Sequence, residues 1–198
     1  MQVLVLASGS QYRAELLGRL NQPFEQFSPD IDESPHLGES PKELATRLAE
    51  NKAKTPDLDT FVASIAKSAI IIASDQVAAV DSQLLGKPGT FEQASKQLCA
   101  MSGKTVAFYT SLYLRDTATG ASYQALDTTR ATLRTLSVEE IQRYLEADKP
   151  LDCAGSFKVE SLGISLFDSV ESQDPTALVG LPMIELCKGL RALGLDVP

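Results

Sequence analysis

Residues 3–20, VLVLASGSQYRAELLGRL, change from one secondary-structure pattern to another within a single turn. Val3–Ala7 is a short unbroken apolar run, which is typical of a strand buried on both faces. After the turn, apolar or aromatic residues recur every four positions from Tyr12 to Leu20, and Ser10 stands where a helix N-cap is expected. The stretch therefore predicts a strand, a Ser-Gly-Ser turn and a helix.

Strand and helix patterns alternate along the rest of the chain. Ala69–Ala73 predicts a second buried strand, whereas the segment 55–68 has no clear pattern. Two long antiparallel strands are predicted at 106–114 and 123–133, joined by a turn at 116–120. Further helices are predicted at 40–54, 90–101, 137–145 and 181–193. Interleaved helices and strands with one long hairpin predict an α/β fold with a mixed sheet.

Length, composition and charge limit the class of protein. With 198 residues, 43% of them hydrophobic and 22% charged, the chain is expected to be one globular domain over residues 1–198. The 18 basic and 26 acidic residues give a net charge of −8. An acidic surface repels phosphate backbones, so no nucleic-acid partner is expected. No apolar run approaches the length of a membrane helix and no signal-peptide pattern is present, so no membrane partner is expected.

The cysteine and histidine content limits the cellular compartment and the catalytic mechanisms that are expected. The 3 cysteines are an odd number without metal-ligand spacing, which favours a cytoplasmic chain with reduced thiols. His36 is the sole histidine and lies in a polar loop. Catalysis by a Ser-His-Asp or Cys-His arrangement is therefore excluded unless it centres on His36.

Two polar segments near the start of the chain could bind phosphate or metal. Ser8, Ser10 and Arg13 surround the start of the first helix, where free N–H groups and a guanidinium favour an anion. An ordinary helix cap with a surface arginine is the commoner explanation of this pattern alone. Asp30-Ile31-Asp32-Glu33 clusters carboxylates that can hold Mg²⁺, although from spacing alone a solvated loop is the commoner explanation.

Two lysines and an aspartate stand at positions that favour a role in a site. Lys52 lies on the helix stripe that faces the protein, so its ammonium either reaches back to water or enters a pocket. Asp75 follows the apolar run 69–73 at the expected carboxyl end of a strand, where ligands bind in α/β sheets. A cap on the next turn is the alternative for Asp75. Lys87 lies between a glycine and a proline in a stiff turn, although an exposed turn lysine is the commoner case.

Taken together, these groups indicate a chemistry that none of them indicates alone. The cations Arg13, Lys52 and Lys87 and the acids Glu33 and Asp75 all lie in the first half of the chain, near element ends. Metal-assisted phosphoryl chemistry needs this combination, because cations neutralise phosphate oxygens while a carboxylate activates water.

Seven short motifs also occur in a fixed order over nearly the whole chain. They are Ser8-Gly9-Ser10-x-x-Arg13, Asp32-Glu33, Leu48-Ala49-x-x-Lys52-Ala53, Ser74-Asp75-Gln76-Val77, Gly86-Lys87-Pro88, Ala154-Gly155-Ser156-Phe157, and Asp174-Pro175 through Val179-Gly180-Leu181-Pro182. Each motif is common alone, but the ordered set resembles the Maf-type nucleoside triphosphate pyrophosphatases.

The resemblance implies a fold, a reaction and a set of site residues. The fold would be an elongated mixed-sheet α/β structure with flanking helices and two lobes around a central cleft. The reaction would be hydrolysis of the α–β phosphoanhydride bond of a small-molecule nucleotide with a divalent metal, Mg²⁺ or Mn²⁺, and a homodimer is expected. Asp75 would be the general base, and Glu33 and Asp75 the metal carboxylates. The resemblance also implies groups that hold phosphate, which are Ser8, Ser10, Arg13, Lys52 and Lys87.

Three positions resemble the family subgroup that acts on 7-methyl-GTP rather than the one that acts on dTTP and UTP. They are Tyr12, Gln76 and Glu160. A 7-methylguanine ring is cationic, so an aromatic face attracts it, and a carboxylate accepts hydrogen bonds from the guanine N1–H and N2–H₂ groups. The chain departs from the subgroup at Tyr12, where tryptophan is expected, and at Ser161, where glycine is expected.

Two other functions remain open from the sequence. One is a pyrophosphatase for dTTP and UTP, or a broad one for modified nucleotides. The other is a nucleotide-binding regulator of cell division, since the family name comes from an association with inhibited septum formation. The presence of both Asp75 and Lys87 favours an enzyme.

Overall fold

A seven-stranded mixed sheet forms the centre of the computed structural model, which describes residues 2–81 and 83–197. Its strands are β1 Val3–Ala7, β2 Phe24–Phe27, β3 Ala69–Val80, β4 Gln83–Leu85, β5 Thr105–Asp116, β6 Ser122–Leu133 and β7 Phe167–Glu171. They are ordered β2-β1-β3-β5-β6-β7, with β4 paired to β3. The pairs that β1 makes with β2 and β3 are parallel and the others are antiparallel. The predicted α/β class with a mixed sheet is confirmed.

Helices cover both faces of this sheet. They are α1 Gln11–Gly18, α2 Pro41–Ala53, α3 Pro56–Ile65, α4 Phe91–Met101, α5 Val138–Asp148 and α6 Met183–Ala192. The Ser10 hydroxyl accepts a backbone N–H at the start of α1. Ser40 and Ser137 form complete capping boxes with Glu43 and Glu140 at the starts of α2 and α5. Two free N–H groups are satisfied at each of these starts, which is why the sequence locates them well.

The side chains of strand β3 point alternately into the two layers that pack on opposite faces of the sheet. Ile70 and Ile72 pack in one core with α1 and α6, whereas Ile71 and Ala73 pack in another with α2 and α3. Because side chains alternate along a strand, the same division continues past the apolar run. Asp75 therefore faces the α2 layer, and its neighbours along the strand face the α6 layer.

The structure corrects the position expected for Asp75. Sequence patterning predicts that the strand ends before Asp75, but β3 continues to Val80 and Asp75 pairs with Ser111 of β5. The strand is longer because β5 is also long and pairs with it through Ala79. Strand β1, in contrast, ends at Ala7, so Asp75 still lies beyond the carboxyl end of the parallel pair.

Several elements outside the predicted helices and strands complete the fold. Helix α3 fills most of the segment 55–68, and its N-cap Thr55 makes no side-chain cap hydrogen bond. Strands β2 and β7 lie at the edges of the sheet, where partial exposure removes the apolar pattern. The Gly-rich segment 153–163 is a loop with short 3₁₀ turns at Ala154–Ser156 and Leu162–Leu166. None of the helices in the described part of the chain is long and apolar enough to cross a membrane.

Candidate active site

A pocket of about 560 Å³ opens beyond the carboxyl end of β1. Its walls come from the β1–α1 turn, the loops after β2 and β4, α2, β3, and the loops before β7 and α6. The sequence-predicted site residues that line it are Ser8, Ser10, Tyr12, Arg13, Glu33, Lys52, Gln76, Lys87 and Glu160. Asp75 does not line the pocket but contacts Lys52, which does. Residues that are far apart in the sequence are thus brought to one cavity.

Lys52 joins the two carboxylates that the sequence singles out. Its Nζ atom lies 2.5 Å from Oδ1 of Asp75 and 2.7 Å from Oε1 of Glu33. Only 10% of its side chain is exposed, so the ammonium enters the pocket rather than returning to water. Helix α2, strand β3 and the loop after β2 therefore converge on one buried ammonium.

Asp75 and Glu33 differ in their electrostatic environments. Burial raises the pKa of Asp75, and the nearby Lys52 and Arg13 only partly oppose that effect. Partial burial alone would raise the pKa of Glu33, but the hydrogen bond from Lys52 and the charges of Lys52, Lys87 and Arg13 lower it. At neutral pH Glu33 is thus held ionised, whereas Asp75 is a stronger base than an exposed aspartate.

The Arg13 side chain is held by the protein on the wall of this pocket. Its Nε donates to the carbonyl of Gly180 at 2.9 Å, and Nη1 donates to the Ser8 hydroxyl at 3.1 Å. Desolvation lowers the pKa of Arg13, although Asp75 and Glu33 act in the opposite sense. Ser10 caps α1 by accepting from the Arg13 backbone N–H, so the ordinary cap interpretation holds for Ser10.

A turn before α6 supports these groups from the opposite face of β3. The Gly180 carbonyl that accepts from Arg13 also accepts from Ser74 at 2.9 Å. Gly180 has φ +123°, and a Cβ there would lie 3.4 Å from Arg13 Nε. The sequence motif contains this glycine but gives no sign of its role, because the contact is made by a backbone carbonyl.

Gln76 is tied to the same turn. Its Nε2 lies 2.9 Å from the carbonyl of Ala177, 3.1 Å from that of Leu178 and 3.0 Å from the Thr110 hydroxyl. The amide N–H groups are therefore occupied within the protein. Its oxygen is the group that remains available to a ligand in the pocket.

The other end of the pocket, which we call the loop end, consists of Tyr12 and the segment 152–161. Lys158 Nζ lies 3.8 Å from Asp152. Burial alone would lower the pKa of Lys158, but the nearby Tyr12, Asp152 and Cys153 raise it, so the ammonium stays protonated. Glu160 is exposed and lines the pocket. The loop end therefore combines an aromatic ring with charges of both signs.

Contacts to α5 hold the loop end in place. The Ser161 hydroxyl lies 2.7 and 2.8 Å from the two carboxylate oxygens of Asp148, and the Lys158 N–H donates to the Tyr144 hydroxyl at 3.0 Å. A Cβ on Gly163 would lie 2.3 Å from the Lys158 carbonyl, so only glycine allows the chain to pass there. These residues support Glu160 through its neighbours.

The opposite end, which we call the cationic end, is lined by Arg13, Lys52, Lys87 and the Glu33 carboxylate, and it includes Asp75 through its contact with Lys52. Lys87 is exposed, and its charge is close enough to Glu33 to help lower the pKa of that carboxyl. Within residues 2–81 and 83–197, no group of three or more His, Cys, Asp and Glu side chains is arranged to hold a metal. Glu33 and Asp75 are the carboxylates of this end that could hold Mg²⁺, which commonly takes one or two protein carboxylates together with substrate phosphates.

Comparison with known proteins finds relatives that match this chain over almost all of its length. Residues 3–193 match the model of a family described as Maf-like protein. The "7-methyl-GTP pyrophosphatase" of Xanthomonas axonopodis pv. citri (strain 306) is 54% identical over 200 residues, covering 100% of both chains. That of Xanthomonas oryzae pv. oryzae (strain MAFF 311018) is 52% identical over 198 residues, again covering 100% of both. That of Vibrio cholerae serotype O1 (strain ATCC 39315 / El Tor Inaba N16961) is 45% identical over 194 residues, 98% of this chain and 97% of the relative.

Proposed function

This chain belongs to the Maf-like protein family, and from that premise we infer that it is a 7-methyl-GTP pyrophosphatase. The reaction joins water to the α-phosphorus of the nucleotide and breaks the α–β anhydride bond. It yields 7-methyl-GMP and pyrophosphate. The observation that carries the proposal in the structure is the Lys52 ammonium bound to both Glu33 and Asp75 at the wall of a nucleotide-sized pocket.

Asp75 acts as the general base in this proposal. Burial raises the pKa of Asp75. A carboxylate with a raised pKa is a stronger base and accepts a proton from water more readily. As water attacks the α-phosphorus, its proton passes to an Asp75 carboxylate oxygen, and the bonding pair of the anhydride leaves with pyrophosphate. Asparagine or serine at this position would not provide such a base.

The three cations of the pocket bind the phosphate chain. Arg13 and Lys52 are held in fixed positions by protein contacts, and Lys87 approaches from an exposed turn. Fixed positive charges stabilise the negative charge that develops on the phosphate oxygens without reorganising during the reaction. The Ser8 and Ser10 hydroxyls would also donate to phosphate, since both residues line the pocket and their oxygens only accept in their bonds from Arg13.

A divalent cation, Mg²⁺ or Mn²⁺, completes the proposed site. Glu33 and Asp75 would hold it, since they are the carboxylates nearest to the three cations and hard cations prefer oxygen ligands. When bound, it would neutralise phosphate charge that the three cations do not cover.

The loop end selects the base. Tyr12 would pack on the cationic 7-methylguanine ring, and Glu160 would accept from the adjacent guanine N1–H and N2–H₂ groups, a pair of donors that a pyrimidine lacks. Gln76 would contribute through its amide oxygen or by fixing the turn before α6, since its N–H groups are occupied.

We further propose, from the family, the properties beyond the site itself. Residues 1–198 form one domain with an elongated shape and two lobes around the pocket. It acts in the cytoplasm as a homodimer, with nucleotides as its small-molecule partners. The acidic net charge of −8 supports a chain that binds single nucleotides through local cations rather than nucleic acid.

A panel of nucleotides tests the activity directly. Purified protein with Mg²⁺ or Mn²⁺ should release pyrophosphate, not phosphate, from 7-methyl-GTP faster than from GTP, dTTP or UTP. Excess EDTA should abolish the release and added metal should restore it. A preference for UTP or dTTP would overturn the substrate, and full activity in EDTA would overturn the metal. Nucleotide binding without any product would favour the regulator of septum formation.

A further inference from the structure

The loop that carries Glu33 has little of its own to fix it. Residues 28–40 connect β2 to α2 without regular secondary structure, and most of them are exposed. The Glu33 side chain itself is 59% exposed. An exposed loop samples many conformations unless side chains tie it to a rigid element. The position of the Glu33 carboxylate therefore depends on what holds this loop to α2.

Arg47 of α2 holds the loop at two places. Its Nε and Nη2 donate to the two carboxylate oxygens of Glu39 at 2.6 and 2.8 Å, in a fork that fits a carboxylate. Nη2 also donates to the carbonyl of Ser34 at 2.9 Å. Glu39 in turn accepts from the His36 N–H at 2.9 Å. One guanidinium thus connects both ends of the segment 34–39 to the helix.

The pair remains charged over the working range of pH. The hydrogen bonds from Arg47 are the main cause that lowers the pKa of Glu39 to about 2. The side chains of Arg47 and Glu39 are 20% and 9% exposed, less than in most surface ion pairs. The Arg47–Glu39 pair, which we call the clamp, is therefore a persistent part of the fold at neutral pH.

The same helix holds Glu33 by a second cation. Lys52 binds the Glu33 side chain, while Arg47, one helical turn and a fraction earlier, binds the backbone of Ser34, the next residue. Arg47 does not line the pocket. We propose that Arg47 is a positioning residue, which fixes the Glu33 carboxylate at the cationic end of the pocket without touching substrate. The proposal rests on the catalytic role proposed above for Glu33.

A double-mutant cycle separates positioning from general stability. On the best nucleotide of the wild type, Arg47→Ala should lower kcat about 10- to 100-fold, since small displacements of a reacting group have effects of that order. In a Glu33→Gln background the same change should cost less than about 3-fold, because there is no longer a carboxylate to position. The kcat of Arg47→Lys should be close to that of Arg47→Ala, because a lysine cannot bind both oxygens of the Glu39 carboxylate at once. Equal losses in both backgrounds would overturn the proposal.

Arg134 provides a matched control. It too donates to a glutamate, Glu140 at 3.3 Å, and to a backbone carbonyl, that of Ser165 at 3.0 Å, but outside the pocket. Arg134→Ala should leave kcat within about 2-fold of wild type, as expected for a pair with no role in positioning Glu33. A loss as large as that of Arg47→Ala would show that the effect is a general one of removing an arginine clamp.

Amide hydrogen exchange gives a readout that does not need activity. The N–H groups of Ser34, His36 and Glu39 are all hydrogen-bonded within the loop. Arg47→Ala should speed their exchange while leaving that of α2 and β3 unchanged. Unchanged exchange in the loop would overturn the clamp itself. Full activity of Glu33→Gln with a loosened loop would instead refute the role proposed for Glu33, and with it the positioning, while the pyrophosphatase reaction would stand.

Discussion

The two ends of the pocket are built in different ways. At the cationic end, Arg13, Lys52 and Asp75 project from regular helices and a central strand, and each side chain bonds to protein atoms. At the loop end, Glu160 lies on an irregular segment and is exposed. Regular elements hold side chains more closely than loops do. Three of the groups proposed to act on every nucleotide thus lie on regular elements, whereas Glu160, which is proposed to distinguish one base from another, lies on a part that can vary.

The difference also appears in how each end is supported. Gly180 and Ser74 fix the cationic end through buried contacts on the far side of β3. Ser161 supports the loop end through an exposed hydrogen bond to Asp148. Loss of a buried, charged group generally costs more than loss of an exposed hydrogen bond. Substitutions at the cationic end should therefore stop the reaction, whereas those at the loop end should change which nucleotide is preferred.

The largest effect is expected at Asp75. Asp75→Asn keeps the size of the side chain but cannot take a proton from water, so kcat should fall about 10²- to 10⁴-fold for every nucleotide alike. Activity of the wild type should also fall on the acid side at a higher pH than for an ordinary aspartate. The reason is that burial raises the pKa of Asp75 and only the deprotonated form is a base. Steady-state rates against pH for both proteins measure this.

Asp127 is the control for that substitution. It is as buried as Asp75, with 6% exposure for each, and burial likewise raises its pKa, but its carboxylate accepts from Thr129 and Ser172 rather than from Lys52. Asp127→Asn should keep kcat within a few-fold of wild type. A near-normal kcat for Asp75→Asn, or an equal loss in both variants, would remove the general-base role and the contrast between the two ends.

The cationic end was also the part that sequence predicted best. Capping boxes located α2, the apolar run located β3, and the motif order placed Arg13, Lys52 and Asp75 together in one expected site. Periodicity could not decide whether the Lys52 ammonium reaches water, because it fixes the face of a helix but not the course of a long side chain. It also ended β3 too early, because the length of that strand depends on its partner β5.

The loop end and its supports were predicted less completely. The subgroup resemblance singles out Glu160 but gives no role to Lys158, Asp152 or the contacts with α5. Their contacts join residues of a segment without periodicity, and backbone groups such as the Gly180 carbonyl carry no residue-specific signal. Strands β2 and β7 were missed for a related reason, since edge strands exposed to water lack an apolar pattern.

An intermediate and selective effect is expected at Glu160. Glu160→Gln keeps one acceptor oxygen but places an NH₂ donor against a guanine donor, at a cost of about 1–3 kcal/mol. The corresponding loss of kcat/KM on 7-methyl-GTP is roughly 5- to 150-fold. UTP should be affected much less, because uracil offers one ring N–H and not the adjacent N1–H and N2–H₂ pair proposed to bind Glu160. The ratio of kcat/KM for the two nucleotides should therefore collapse.

The matched control is Glu171→Gln, at an exposed glutamate that ends β7 and does not line the pocket. It makes the same chemical change and the same change in net charge, and should leave the ratio as it is. If the ratio also stayed constant in Glu160→Gln, base selection would lie elsewhere at the loop end. The reaction assigned to the cationic end would be unaffected by that result.

The smallest effect is expected at Ser161, which stands where the subgroup is expected to have glycine. Its φ of −131° is open to any residue, so the backbone does not require glycine there. Ser161→Ala removes the hydrogen bond to Asp148, worth about 0.5–1.5 kcal/mol, and should lower the preference for 7-methyl-GTP over UTP by roughly 2- to 10-fold. Rates on UTP should hardly change. Asp148→Ala should have at least the same effect, because it removes this bond and also an interaction with Tyr144. The double variant should lose no more than Asp148→Ala alone. Additive losses, or an unchanged ratio, would mean that Gly163 and Tyr144 hold the loop without this bond.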